Sequence, residues 1–203
     1  MLHPLQAVPA ARHALLLRIA IFAALAASAA MLWIGWPLRN STAPLGIASL
    51  ELAPDGAASA AIIETWKQQH AGIDLTSNDM STLVQSVPRG LEDLAARVTL
   101  LGYGYALVYC LALSMICVWM GSPGWGAAMG WLIWLGGVLD ALENAFLLQT
   151  LYGDIGGSLP ETTHLIAWAK FAVIGLCLGY AIFALWQHRP RRASTSSESP
   201  AVR

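Results

Sequence analysis

Charge is what this chain has least of. Asp, Glu, Lys and Arg make up 11% of its 203 residues, against about 25% in an average soluble protein. From Val98 to Leu139 there is none at all. That run holds two membrane-crossing helices of about 20 residues each. A net charge of −1 offers no basic face to a phosphate backbone, so nucleic acid is not an expected partner. The three cysteines, Cys110, Cys117 and Cys177, form no CxxC pair and lie in apolar runs, where cysteine serves as a small packing residue. No Walker loop, dinucleotide fingerprint or Gly-x-Ser-x-Gly elbow is present. No His-x-x-x-His pair offers a metal site, and no cofactor is indicated.

What the chain does have is apolar length. The lipid bilayer is the expected partner, and the expected fold class is an all-α membrane protein. It is a four-transmembrane-helix bundle with a partly ordered extracytoplasmic cap between helices 1 and 2. The expected order is a cytoplasmic N-terminus at 1–18, a first span at 19–38, the cap at 39–96, and further spans at 97–120, 125–151 and 163–186. A disordered basic tail follows at 187–203. A signal peptide competes for the first span, because Ala27-Ser28-Ala29 looks like a cleavage site. The run continues through Trp33 and Trp36, however, to spanning length and an interfacial belt. Arg12 and Arg18 precede the first span, and Arg189, Arg191 and Arg192 follow the fourth. The positive-inside rule therefore puts both termini on the cytoplasmic side of the membrane.

Within the cap, Gly46 to Leu52 alternates apolar with small or polar residues, which predicts a short extended segment. Asp55-Gly56 reads as a turn, and Ile62, Ile63 and Trp66 read as one face of a short amphipathic helix over 57–69. The cap is open to three readings: an ordered cover, a ligand-selecting lid or a disordered loop.

The third span carries the anomaly. Asp140, Glu143 and Asn144 sit inside Trp131–Tyr152, spaced i, i+3, i+4 on one face. A charge at mid-bilayer costs about 2.5 to 3.5 kcal/mol even on the lenient insertion scale. At 1.5 Å per residue, Glu143 lies about 12 Å and Asp140 about 16 Å below the outer boundary. Lys170 on the antiparallel fourth span lies about 10 to 12 Å below it. An ion pair between Lys170 and Glu143 is the expected result. Two carboxylates against one lysine leave Asp140, deeper and further from Lys170, as the one expected to hold a proton. Tyr105 and Tyr109 lie one turn apart on the second span and can donate to a carboxylate. His164 lies at the outer mouth, and Arg97 at the outer start of the second span.

Gly46-Ile47-Ala48-Ser49-Leu50-Glu51-Leu52-Ala53 with Trp66 downstream, Asp140-x-x-Glu143-Asn144 and Lys170 together resemble a group of uncharacterised bacterial four-helix integral membrane proteins. The resemblance implies the topology and the importance of these residues, and no activity. Three functions stay open for the polar cluster: glue between helices, a small-ligand or proton site (in a transporter or otherwise), and an enzyme using Asp140 or Glu143 as acid or base. Gly126-x-x-x-Gly130 and Gly175-x-x-x-Gly179 offer faces for a homo-oligomer.

Overall fold

The structure, a computed structural model, describes residues 3–71, 90–153 and 158–187. The expected basic tail from residue 188 on and residues 72–89 of the expected cap lie outside them. Among the described residues every regular element is helical: α1 (Ala10–Ile34), α2 (Ile47–Glu51), α3 (Gly56–Ala71), α4 (Leu91–Met120), α5 (Pro123–Tyr152) and α6 (Leu159–Gln187), with 3-10 turns at Pro4–Ala7 and Trp36–Leu38. Four of them, α1, α4, α5 and α6, are long and apolar enough to cross a membrane. At 1.5 Å per residue, the 25 residues of α1 already exceed the roughly 30 Å of a hydrocarbon core.

The boundaries differ from the expectation at the first helix. α1 begins at Ala10, because Ala10 to Leu17 are mostly good helix formers and only Pro9 stops the helix extending backwards. It ends at Ile34, since Pro37 has no N–H to continue the ladder. Ala20 is its one buried residue, and it leans on α4 rather than on α5 or α6.

α4 is the central helix, packed on α1, α5 and α6. Its buried positions are dominated by small residues, among them Ala95, Gly102, Ala106, Cys110 and Ala112. Small residues let backbones approach closely where lipid supplies no hydrophobic drive between helices. Gly126 and Gly130 belong to this contact. A Cβ on Gly126 would meet the Cys117 carbonyl at 2.3 Å, and one on Gly130 would meet Val118 at 2.6 Å. That face is used within the chain, whereas Gly175 and Gly179 face open space.

The segment after α1 folds by local chemistry. Asn40 Oδ1 accepts from the N–H groups of Thr42 and Ala43, at 2.9 and 2.7 Å, which turns the chain back. Gly46, at φ +66°, then takes a left-handed conformation that a side chain resists. The stretch expected to be extended is instead the five-residue helix α2. Ser49 Oγ accepts from Leu45 N–H at 2.9 Å, and Leu50 is buried. Asp55 Oδ1 caps α3 by accepting from Ala58 N–H at 2.8 Å. Ile62, Ile63 and Trp66 of α3 pack with Leu38, Leu50, Val98 and Leu147 in one apolar cluster. Trp66 is fully buried and donates Nε1–H to the Leu38 carbonyl at 2.9 Å. This cluster fixes α2 against the ends of α4 and α5, and so sets where Glu51 points.

Candidate functional site

Helix periodicity brings Asp140, Glu143 and Asn144 of α5 to the bundle interior, while Leu135 and Leu142 on the opposite face are exposed. On α6 the same period buries Thr163, Ala167, Lys170 and Cys177 in one stripe. The Lys170 ammonium is the meeting point. Its Nζ lies 2.6 Å from Glu143 Oε2, 2.9 Å from Asp140 Oδ1 and 3.3 Å from Glu51 Oε2. The contacts to Asp140 and Glu51 are hydrogen bonds. The one to Glu143 Oε2 is the shortest of the three, a charge-assisted contact between a buried ammonium and a buried carboxyl group.

Two expectations change here. Asp140 is not remote from Lys170: the four-carbon stem and three donors of a lysine let it serve acids from two depths at once. The cluster also contains a third acid, Glu51, which the spacing of the spans did not bring in. α2 delivers it from the segment between the first two spans. Glu51 sits in the Ser49-Leu50-Glu51-Leu52 stretch, and an acid flanked by two leucines was the available signal.

The tyrosines divide. Tyr109 donates to Asp140 Oδ2 at 3.2 Å. Tyr105 does not reach a carboxylate; its hydroxyl pairs with Ser28 Oγ of α1 at 3.1 Å. The two rings stay 5.2 Å apart, tilted by 59°. Asn144 lies against Gly102 of α4, where a Cβ would stand 3.0 Å from Nδ2. The glycine three turns into α4 thus makes room for the amide. Asn144 is only 6% exposed, and its Nδ2 has no hydrogen-bond partner.

Beside the cluster is a cavity of about 540 Å³. α1, α2, α4, α5 and α6 all contribute to its wall, which includes Met31, Ile47, Leu113, Phe171 and Ile174. Its polar side is formed by Glu51, Asp140, Asn144 and Lys170, with Tyr105 and Tyr109 adjoining, and Arg39 lies near the end of α1. Because α1 rests on α4 and not on α6, the cavity lies between two helices that do not close on each other.

His164 and Arg97 stand outside the cluster. His164 Nε2 accepts from Trp168 Nε1–H at 3.1 Å, so Nδ1 carries the proton and donates to the Leu52 carbonyl at 3.0 Å. It fastens the α2 segment to α6. Glu161 and His164 do have Glu-x-x-His spacing, but both ring nitrogens are engaged and no cluster of metal-ligating side chains occurs among the described residues. Arg97 is exposed on α4 and is not among the side chains lining the cavity.

One constellation had no sequence signal. The 3-10 turn at Pro4–Ala7 folds back on the bundle and buries His3, with Nε2 3.3 Å from Ser114 Oγ. It is not a catalytic dyad. His3 Nδ1 accepts from Leu5 N–H at 3.2 Å, so the neutral ring carries its proton on Nε2 and cannot take one from the serine. The cysteines are buried and free, with Cys110 donating weakly to the Ile133 carbonyl at 3.3 Å. Comparison with protein-family models, with curated proteins and with solved structures finds no match to this chain.

Proposed function

We propose that this chain is a multi-pass protein of the bacterial inner membrane, with both termini cytoplasmic, that binds a small amphipathic molecule within the bilayer. The cavity beside the Lys170 cluster carries the reading. Its volume of about 540 Å³ falls in the usual ligand-site range of roughly 300–1,000 Å³, and a mostly apolar wall with a few convergent polar groups is the usual composition. The polar end of the ligand meets Glu51, Asp140 and Asn144. The apolar part lies along Met31, Leu113 and Ile174.

A purely structural cluster is the competing reading, and one observation weighs against it. A polar network retained for rigidity is satisfied throughout, since each orphaned buried group costs about 1–3 kcal/mol. Here Asn144 Nδ2, a donor in a side chain that is almost fully buried, has no partner. The test is native mass spectrometry of the full chain extracted from its membrane in mild detergent. One discrete small-molecule adduct per chain is expected, lost in Ala48→Phe, which fills the cavity from α2 and removes none of the ion-paired groups. Bare chain alone, in wild type as in the variant, overturns the reading.

A further inference from the structure

The cluster is unbalanced in charge. Three carboxyl groups face one ammonium, and the nearest additional cation in the cavity wall, Arg39, has its guanidinium 4.8 Å over the Trp36 ring. Lys170 spends its donors on the three acids, yet each carboxylate oxygen accepts more than one hydrogen bond. Asp140 Oδ1 takes Lys170 and Oδ2 takes Tyr109, and Asp140 lines the cavity. It retains capacity on that side.

Two further observations concern the ligand rather than the acids. The Tyr105 and Tyr109 rings, 5.2 Å apart and tilted by 59°, line the cavity with Asp140, which Tyr109 bonds; Phe171 of α6 also lines it, with its ring 4.7 Å from Lys170 Nζ. Aromatic faces beside a carboxylate are the surroundings that attract organic ammonium ions, because the ring quadrupole presents negative charge on its face. Separately, Asn144 is more than nine-tenths buried, lines the cavity and has an Nδ2 donor with no acceptor. That donor calls for an oxygen close to the cation.

We propose that the ligand is an organic ammonium ion with an apolar tail and an oxygen acceptor near the nitrogen. This rests on the cavity being a ligand site, as argued above. The ammonium lies between Asp140 and the two tyrosine rings, on the side of Asp140 away from Lys170. The neighbouring oxygen accepts from Asn144, and the tail follows the apolar wall toward Leu113 and Ile174. Desolvation strengthens the attraction, since the surrounding dielectric is low.

The test uses the full chain in nanodiscs and tritiated N-decylcholine as probe, with empty nanodiscs subtracted, and decanol and decanoate as competitors. Saturable 1:1 binding is expected. The cation should bind about tenfold or more tighter than decanol, the factor that one desolvated cation–π contact supplies. Decanoate should compete least. Tyr105→Leu should weaken the cation by about fivefold and leave decanol unchanged, while Tyr105→Phe, which keeps the ring face, should bind as wild type does. Tyr105 lies outside the ion cluster, so these variants do not remove a buried charge. If decanol and decanoate displace the probe as well as the cation does, the ammonium class is overturned and the cavity stands as a site for apolar amphiphiles. If none of the three binds saturably, this proposal falls together with the reading beneath it.

Discussion

Replacing Lys170 with methionine keeps most of the side-chain volume and removes one positive charge from a site with three carboxyl groups. In the wild type those groups lie 2.6, 2.9 and 3.3 Å from Nζ, and Lys170 is only 5% exposed. Without Lys170, Glu143, which is 0% exposed, loses the cation it pairs with and is closed off from bulk solvent. Removing one partner from a buried ion pair costs about 3–5 kcal/mol, which is roughly two to three and a half orders of magnitude in the folding equilibrium. Unfolding in mixed micelles at increasing dodecyl sulfate, followed by circular dichroism, reads that loss. The physical cause is uncompensated charge and not lost packing. Adding Glu51→Gln, Asp140→Asn and Glu143→Gln to Lys170→Met should therefore restore most of the stability, because a neutral site has nothing to compensate. A Lys170→Met protein within about 0.5 kcal/mol of wild type, the range of an ordinary surface substitution, refutes the reasoning. So does a quadruple variant less stable than the single one.

Three other outcomes follow from the packing. Gly126→Ala should destabilise by about 1–3 kcal/mol, because its Cβ would meet the Cys117 carbonyl at 2.3 Å. Gly179→Ala, which faces open space, should be neutral or slightly stabilising in the same micelle unfolding. Trp66→Phe keeps the ring but strands the buried Leu38 carbonyl it bonds at 2.9 Å. It should cost about 1–3 kcal/mol and speed proteolysis between α1 and α3. His3 should make docking of the N-terminal turn pH-dependent. Burial holds its pKa below the ordinary 6.5, against a smaller opposing effect of the Gly130 carbonyl. Among the described residues the groups facing it are the Leu5 N–H, the Ser114 hydroxyl of α4, and the Gly130 carbonyl and Trp131 ring of α5, and none of these carries a charge. Docking favours the neutral ring, so it is complete above 6.5 and weakens as the pH falls below that value toward the docked pKa. Hydrogen exchange at residues 5–8 should quicken over that interval, and His3→Gln should flatten the response.

Much of the bundle was legible in the sequence because a membrane tolerates so few alternatives. A run of spanning length without charge must satisfy its own backbone, and a helix does so. The meeting of Lys170 with Glu143 was legible for a similar reason: rise per residue is constant, so levels on consecutive antiparallel helices can be counted. Counting fails where a side chain reaches. The lysine stem is long enough to make level a poor guide to distance, and Asp140 was set too far away. Glu51 escaped because Gly46 to Leu52 alternates like a strand, while its helical form depends on a left-handed glycine and on Leu50 finding the Trp66 cluster. Those are tertiary facts, and a seven-residue period carries no trace of them. The burial of His3 depends on a fold-back of the N-terminal turn, and no periodicity in the sequence announces it. Tyr105 and Tyr109 were equivalent by spacing, and only the position of Ser28 on α1 separates their partners.

The central claim is that the segment between the first two spans sends a carboxylate down to the lysine of the fourth, completing a charged floor beside the cavity. Solid-state NMR dipolar recoupling in lipid, with ¹⁵N at Lys170 Nζ and ¹³C at the Glu51 side-chain carboxyl, measures this directly. Oxygen–nitrogen contacts of hydrogen-bond length place the labelled carbon roughly 4 Å from the nitrogen, and a dephasing curve for that distance is the predicted result. A curve that stays flat, with the Glu143 label dephasing normally in the same preparation, contradicts the claim and leaves α2 detached from the site.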